Sequence, residues 1–171
     1  MHAVTVSFFF LLSPGPLVRR FEAELATFVG VEHVVAVCNA TIGLELALRA
    51  CLEKYAMPAS RREVIVPSWT FAASVHVIHA VGLQPVFCDS LFDSHLLDVD
   101  HVARLINERT CAVLGVHLWG QLCPAALEQL CEKHAIPLVL DAAHSFACSD
   151  GRRMSGCFGT VEVFSFRATK F

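Results

Sequence analysis

The chain has no Cys-x-x-Cys pair among its eight cysteines, no Gly-x-Gly-x-x-Gly turn, no excess of basic charge and no uninterrupted apolar run long enough to span a bilayer. The first absence argues against a metal knuckle or a paired-thiol redox site. Cys38, Cys88 and Cys111 lie inside or beside apolar strand patterns and are expected to pack as small hydrophobes. His76 and His79 share a helical face but lack the Glu and third ligand of a hydrolytic zinc site, so no metal is expected. The missing glycine pattern counts against a nucleotide-binding α/β domain, for which a phosphate turn after the first strand is the only support. A net charge of −3 with pI near 6.3 leaves no electrostatic footprint for nucleic acid, and Arg19-Arg20 and Arg61-Arg62 are isolated pairs. The short, broken apolar runs give no membrane partner.

What the chain does have is 55% hydrophobic residues over 171 positions, enough for one sizeable core. Leu17, Phe21, Leu25 and Phe28 recur at helical spacing after Pro16, and Gly30 stands where a helix ends, which predicts a helix over Pro16 to Val29. Further helices are expected at Thr41 to Lys54, Phe71 to Val81, after Asp98 through Ile106, and from Pro124 at a first helical position to His134. Strands are expected at Val34 to Cys38, Val64 to Val66, Val86 to Cys88, Ala112 to His117, Leu138 to Leu140 and Val161 to Phe166. This alternation predicts an α/β fold, a three-layer α/β/α domain with a mainly parallel sheet, whose ligands sit beyond the carboxyl ends of the strands. Val4 to Leu12 has the length of a signal-peptide apolar core without its basic flank or cleavage site; a β-strand, or a start that is not the natural terminus, are the other readings.

Two residues carry chemistry. Asp141 ends the apolar strand Leu138-Val139-Leu140, and Lys170 closes the string Val163-Phe164-Ser165-Phe166-Arg167-Ala168-Thr169-Lys170. A pyridoxal phosphate enzyme needs this pair: a lysine amine that condenses with the cofactor aldehyde, and a carboxylate that keeps the pyridine nitrogen protonated. A carboxylate at the end of an apolar strand also requires a partner, which a pyridinium offers. The turn after Cys38 opens the next helix with outward amides and the positive end of its dipole, an anion site in which Thr41 reads either as a ligand or as a plain cap.

From about Gly15 to its last residue the chain resembles the DegT/DnrJ/EryC1/StrS family of PLP-dependent sugar aminotransferases. The resemblance rests on Gly15 to Ala26, Val35 to Leu44, Glu63 to Phe71, Val116-His117-Leu118-Trp119-Gly120-Gln121, Asp141-Ala142-Ala143-His144 and Phe164 to Lys170, in family order. It implies a fold type I PLP-dependent transferase large domain, partial over 15–171, with 1–14 outside it. It implies Lys170, Asp141 and His144 as catalytic residues. Thr41, Ile42, Phe71 and Ser165 join those three around the cofactor, Thr41, the Ile42 amide and Ser165 at its phosphate and Phe71 against its ring. Arg167 stands where the family usually has His or Tyr. The implied reaction moves an amino group from an amino acid, glutamate being the expected donor, to a nucleotide-linked keto-sugar, in a cytoplasmic homodimer serving amino-sugar and polysaccharide biosynthesis. Family members are much longer, so a truncated large domain is expected here, with a strand edge uncovered beside the site and little activity of its own. A non-catalytic fragment or subunit partner with the same fold is the alternative.

Overall fold

The computed structural model describes residues 3–7 and 15–170. Its strands are β1 (Ala3–Ser7), β2 (His33–Val37), β3 (Glu63–Pro67), β4 (Gln84–Cys88), β5 (Thr110–Val116), β6 (Leu138–Asp141) and β7 (Val161–Ser165). They form one sheet in the order β2-β1-β7-β6-β5-β3-β4, and every pairing is parallel. The helices are α1 (Pro16–Val29), α2 (Ala40–Lys54), α3 (Ala72–Ala80), α4 (Val99–Leu105) and α5 (Ala125–Lys133).

Strand periodicity explains the layers, because successive side chains leave a strand on opposite faces. Val64, Val66, Ala112, Leu114, Val139 and Val163 pack with Leu44 and Leu48 of α2 and Val77 and Ile78 of α3 on one face. Ile65, Val113, Leu138 and Leu140, the alternate positions, pack with Val102 of α4 and Leu127 and Cys131 of α5 on the other. Buried on both faces, the central strands read as continuous apolar runs, as parallel strands do. A third cluster seats Leu25 and Val29 of α1 on Val34, Ala142 and Phe164. Gly115 makes the α5 layer possible: a Cβ there would stand 2.9 Å from Leu140 Cδ2 and 3.3 Å from Cys123 Sγ.

Three expectations need correction. The strand beside the site is not an uncovered edge: β7 is paired by β6 on one side and β1 on the other, and the edges are β2 and β4. Pro124 lies one position outside its helix, capping α5 in an extended conformation (ψ 142°). Cys88 and Cys111 pack as small hydrophobes, whereas Cys38 is exposed, because it sits past the end of β2 where the chain turns into α2. Of the amino-terminal segment, 3–7 form β1, while Phe8 to Leu12 lie outside the described residues.

Candidate active site

The carboxyl ends of β2, β6 and β7 converge with the amino end of α2 on a cleft of about 560 Å³. Thr41, Phe71, Asp141, Ser165 and Lys170 line it, together with Cys38, Asn39 and Arg167. Five of the seven expected site residues thus line one cleft. Of the other two, His144 reaches Lys170 from beside the cleft, and Ile42 contributes no lining surface.

The turn into α2 settles how Thr41 is used by the chain itself. Asn39, not Thr41, is the N-cap: it is extended, and its Oδ1 accepts from the Ile42 amide at 2.9 Å. Thr41 lies inside the first turn, exposed, with its hydroxyl free of any partner among the described residues. Asn39 escaped the sequence reading, although an Asn before a helical run is a recognisable cap.

Asp141 is 6% exposed at the end of β6. Its Oδ2 accepts from Ser74 Oγ at 2.8 Å and its Oδ1 from the Ala143 amide at 3.1 Å, while Thr70 Oγ1 donates to Ser74 Oγ at 3.0 Å. Two acceptor sites are therefore filled by the chain, and a carboxylate has about four. Ser74 was also missed, since one small hydroxyl on an otherwise apolar stretch of α3 carries little signal in the sequence.

Lys170 Nζ lies 3.0 Å from His144 Nε2 and 5.9 Å from the centroid of the Phe71 ring. Burial, and then the adjacent Lys170 cation, push His144 below the ordinary imidazole value against the opposing influence of Asp141. His144 is accordingly a neutral acceptor for the amine near pH 7. Phe71 is exposed, capping α3 and leaning over the cleft, whereas Trp69 stacks edge-on against His95 outside it.

Behind these residues lies a buried polar cluster that sequence patterning did not reveal. His117 and Glu162, both fully buried, meet at 3.1 Å through Nε2 and Oε1. The Cys123 amide donates to His117 Nδ1 at 3.0 Å, which leaves Nε2 as the protonated nitrogen and Glu162 as its acceptor. Ser155 Oγ and the Gly156 amide also donate to Glu162, and Ser155 pairs with Ser145 Oγ at 2.9 Å, next to His144. The His117 amide donates to the Asp141 carbonyl at 2.9 Å. Glu162 thus ties β5 and β7 to the loop that carries His144.

The same arrangement of sheet and helices occurs in solved aminotransferases. DesI, determined in the presence of its TDP-sugar product, superposes with a TM-score of 0.81 at 47% identity, over 92% of this chain and 39% of that one. The GDP-perosamine synthase of Vibrio cholerae is 38% identical over 159 residues, which are 92% of this chain and 42% of the synthase. The spore coat polysaccharide biosynthesis protein SpsC of Bacillus subtilis (strain 168) is 40% identical over 162 residues, 93% of this chain and 40% of SpsC. The chain therefore spans about two-fifths of the length of the curated relatives it matches. The model of the DegT/DnrJ/EryC1/StrS aminotransferase family matches residues 5–171, so the likeness extends ten residues further toward the amino terminus than Gly15. By sequence, fold and the order of its motifs, this chain belongs to the DegT/DnrJ/EryC1/StrS aminotransferase family.

Proposed function

We propose that the chain forms the cofactor-holding part of a pyridoxal phosphate-dependent aminotransferase that moves an amino group from an amino acid, glutamate in our reading, to a nucleotide-linked keto-sugar. The observation that carries it is the shared cleft: the Lys170 amine, hydrogen-bonded to His144, lines the same cleft as buried Asp141 and Ser165 and exposed Thr41. The relatives support the substrate class, among them a dTDP-3-amino-3,4,6-trideoxy-alpha-D-glucose transaminase of Micromonospora megalomicea subsp. nigra, 34% identical over 158 residues. The resemblance to the family supports a cytoplasmic homodimer.

The residues present fit the cofactor. Ser165 is 7% exposed, and its hydroxyl has no partner among the described residues although it borders the cleft. Asp141 keeps acceptor capacity beyond its two internal donors. Pyridoxal phosphate supplies an aldehyde for covalent capture of an amine and a protonated ring that withdraws electrons from the neighbouring carbon. Lys170 provides the amine that holds the aldehyde and, once released, carries a proton. His144, neutral, accepts from that amine and keeps it oriented. Asp141, aimed by the Ser74 hydroxyl and the Ala143 amide, is the partner for the ring nitrogen. Phe71 covers one ring face, while Thr41 and Ser165 offer hydroxyls to the phosphate.

Colour tests the reading. The chain mixed with pyridoxal phosphate turns yellow, and borohydride fixes the adduct. A protein that stays colourless refutes the cofactor assignment.

A further inference from the structure

We propose that Arg167 supplies the positive charge of the cofactor's phosphate site, an inference that rests on the pyridoxal phosphate reading above. Three charged residues border the cleft, and two are already engaged: Asp141 by Ser74 and Ala143, Lys170 by His144. The guanidinium of Arg167 has no partner among the described residues, in contrast to Arg20, Arg49, Arg109 and Arg153, which pair with carboxylates.

Position on the chain selects the phosphate as its partner. Ser165 ends β7 and Arg167 lies two residues beyond it, and the whole run from Ser165 to Ala168 borders the cleft. Phe166 between them sets its ring against Phe21, Phe146 and Phe164. Thr41 and the first turn of α2 border the same space. That turn has spent one donor, because the Ile42 amide is bonded to Asn39. What remains there is dipolar: two hydroxyls, the amides of Ala40 and Thr41, and the helix end. A phosphate carrying close to two negative charges in a partly closed site is held more tightly with a full positive charge beside it, and a guanidinium offers one with paired donors.

Titration of the full 171-residue chain and its Arg167→Ala and Arg167→Lys variants with pyridoxal phosphate and with pyridoxal, followed by tryptophan fluorescence, decides the matter. Arg167→Ala is expected to weaken pyridoxal phosphate binding about tenfold or more while pyridoxal, which lacks the phosphate, binds within about twofold of the unaltered chain. Arg167→Lys recovers part of the loss, and inorganic phosphate competes less well against the Ala variant. An unchanged ratio of the two affinities overturns the role of Arg167 and leaves the cofactor reading standing, as does an equal loss for both ligands. No binding of either ligand by the unaltered chain overturns the cofactor reading and this inference together.

Discussion

Ser74 Oγ donates to Asp141 Oδ2 at 2.8 Å, a contact between α3 and the end of β6 that both residues make while buried. It tethers the carboxylate to α3 and fills one of its acceptor positions. Ser74→Ala removes the donor and leaves the Thr70 hydroxyl without its acceptor. We expect a loss of about 1–3 kcal/mol in urea unfolding, the cost of leaving a buried acceptor short of a donor. We also expect weaker cofactor binding, with covalent attachment at Lys170 retained. A variant as stable as the unaltered chain removes the contact from this account.

The Lys170–His144 pair predicts a titration. The imidazole is held below its ordinary value by burial first and the lysine cation second. NMR of the His144 ring is therefore expected to show a midpoint below 6.5. In Lys170→Ala the midpoint moves up toward the ordinary value, because the second cause is removed while burial remains. The stability linkage has a definite sign: with the folded value depressed, the unfolded chain takes up the proton first, so stability falls as pH drops below 6.5. His144→Gln flattens that part of the profile. A midpoint that does not move in Lys170→Ala contradicts the pairing.

Glu162 gives a prediction of opposite sign. Burial pushes its carboxyl above the ordinary 4.5, against the hydrogen bonds from His117 and Ser155. As pH rises through 4.5 the unfolded chain releases this proton before the folded one, so stability falls across that window, and Glu162→Gln removes the slope. Glu162→Ala, which strands the His117 Nε2–H and the Gly156 amide, costs about 3–5 kcal/mol, well above the Gln variant. Equal losses for the two substitutions contradict the network.

Much of this architecture was legible because local and global patterns agree. The apolar runs at Thr110 to Val116 and Leu138 to Asp141 announce strands covered on both faces, and Pro16 and Gly30 bracket α1. Lys170, Asp141 and His144 stand out because each follows or ends such a strand. The less visible features are relations between distant residues. Glu162 reads in sequence as the polar member of Val161-Glu162-Val163, and only the fold brings His117 to it across 45 positions. The Ser74–Asp141 contact spans 67. The place of β1 between β2 and β7 was equally hidden, since five residues of strand propensity do not specify which neighbours they pair.

The central claim is that Lys170 carries the cofactor, and the chain makes it easy to test because it has three lysines, Lys54, Lys133 and Lys170. Lys54 borders a different pocket, with Leu138 and Thr160 at the amino ends of β6 and β7, and Lys133 is exposed at the end of α5. Borohydride reduction of the chain loaded with pyridoxal phosphate, followed by peptide mapping, reads the attachment site directly. The reduced label is expected on Lys170, with a colourless, unlabelled Lys170→Ala variant; a label on Lys54 or Lys133 that survives this substitution contradicts attachment at Lys170.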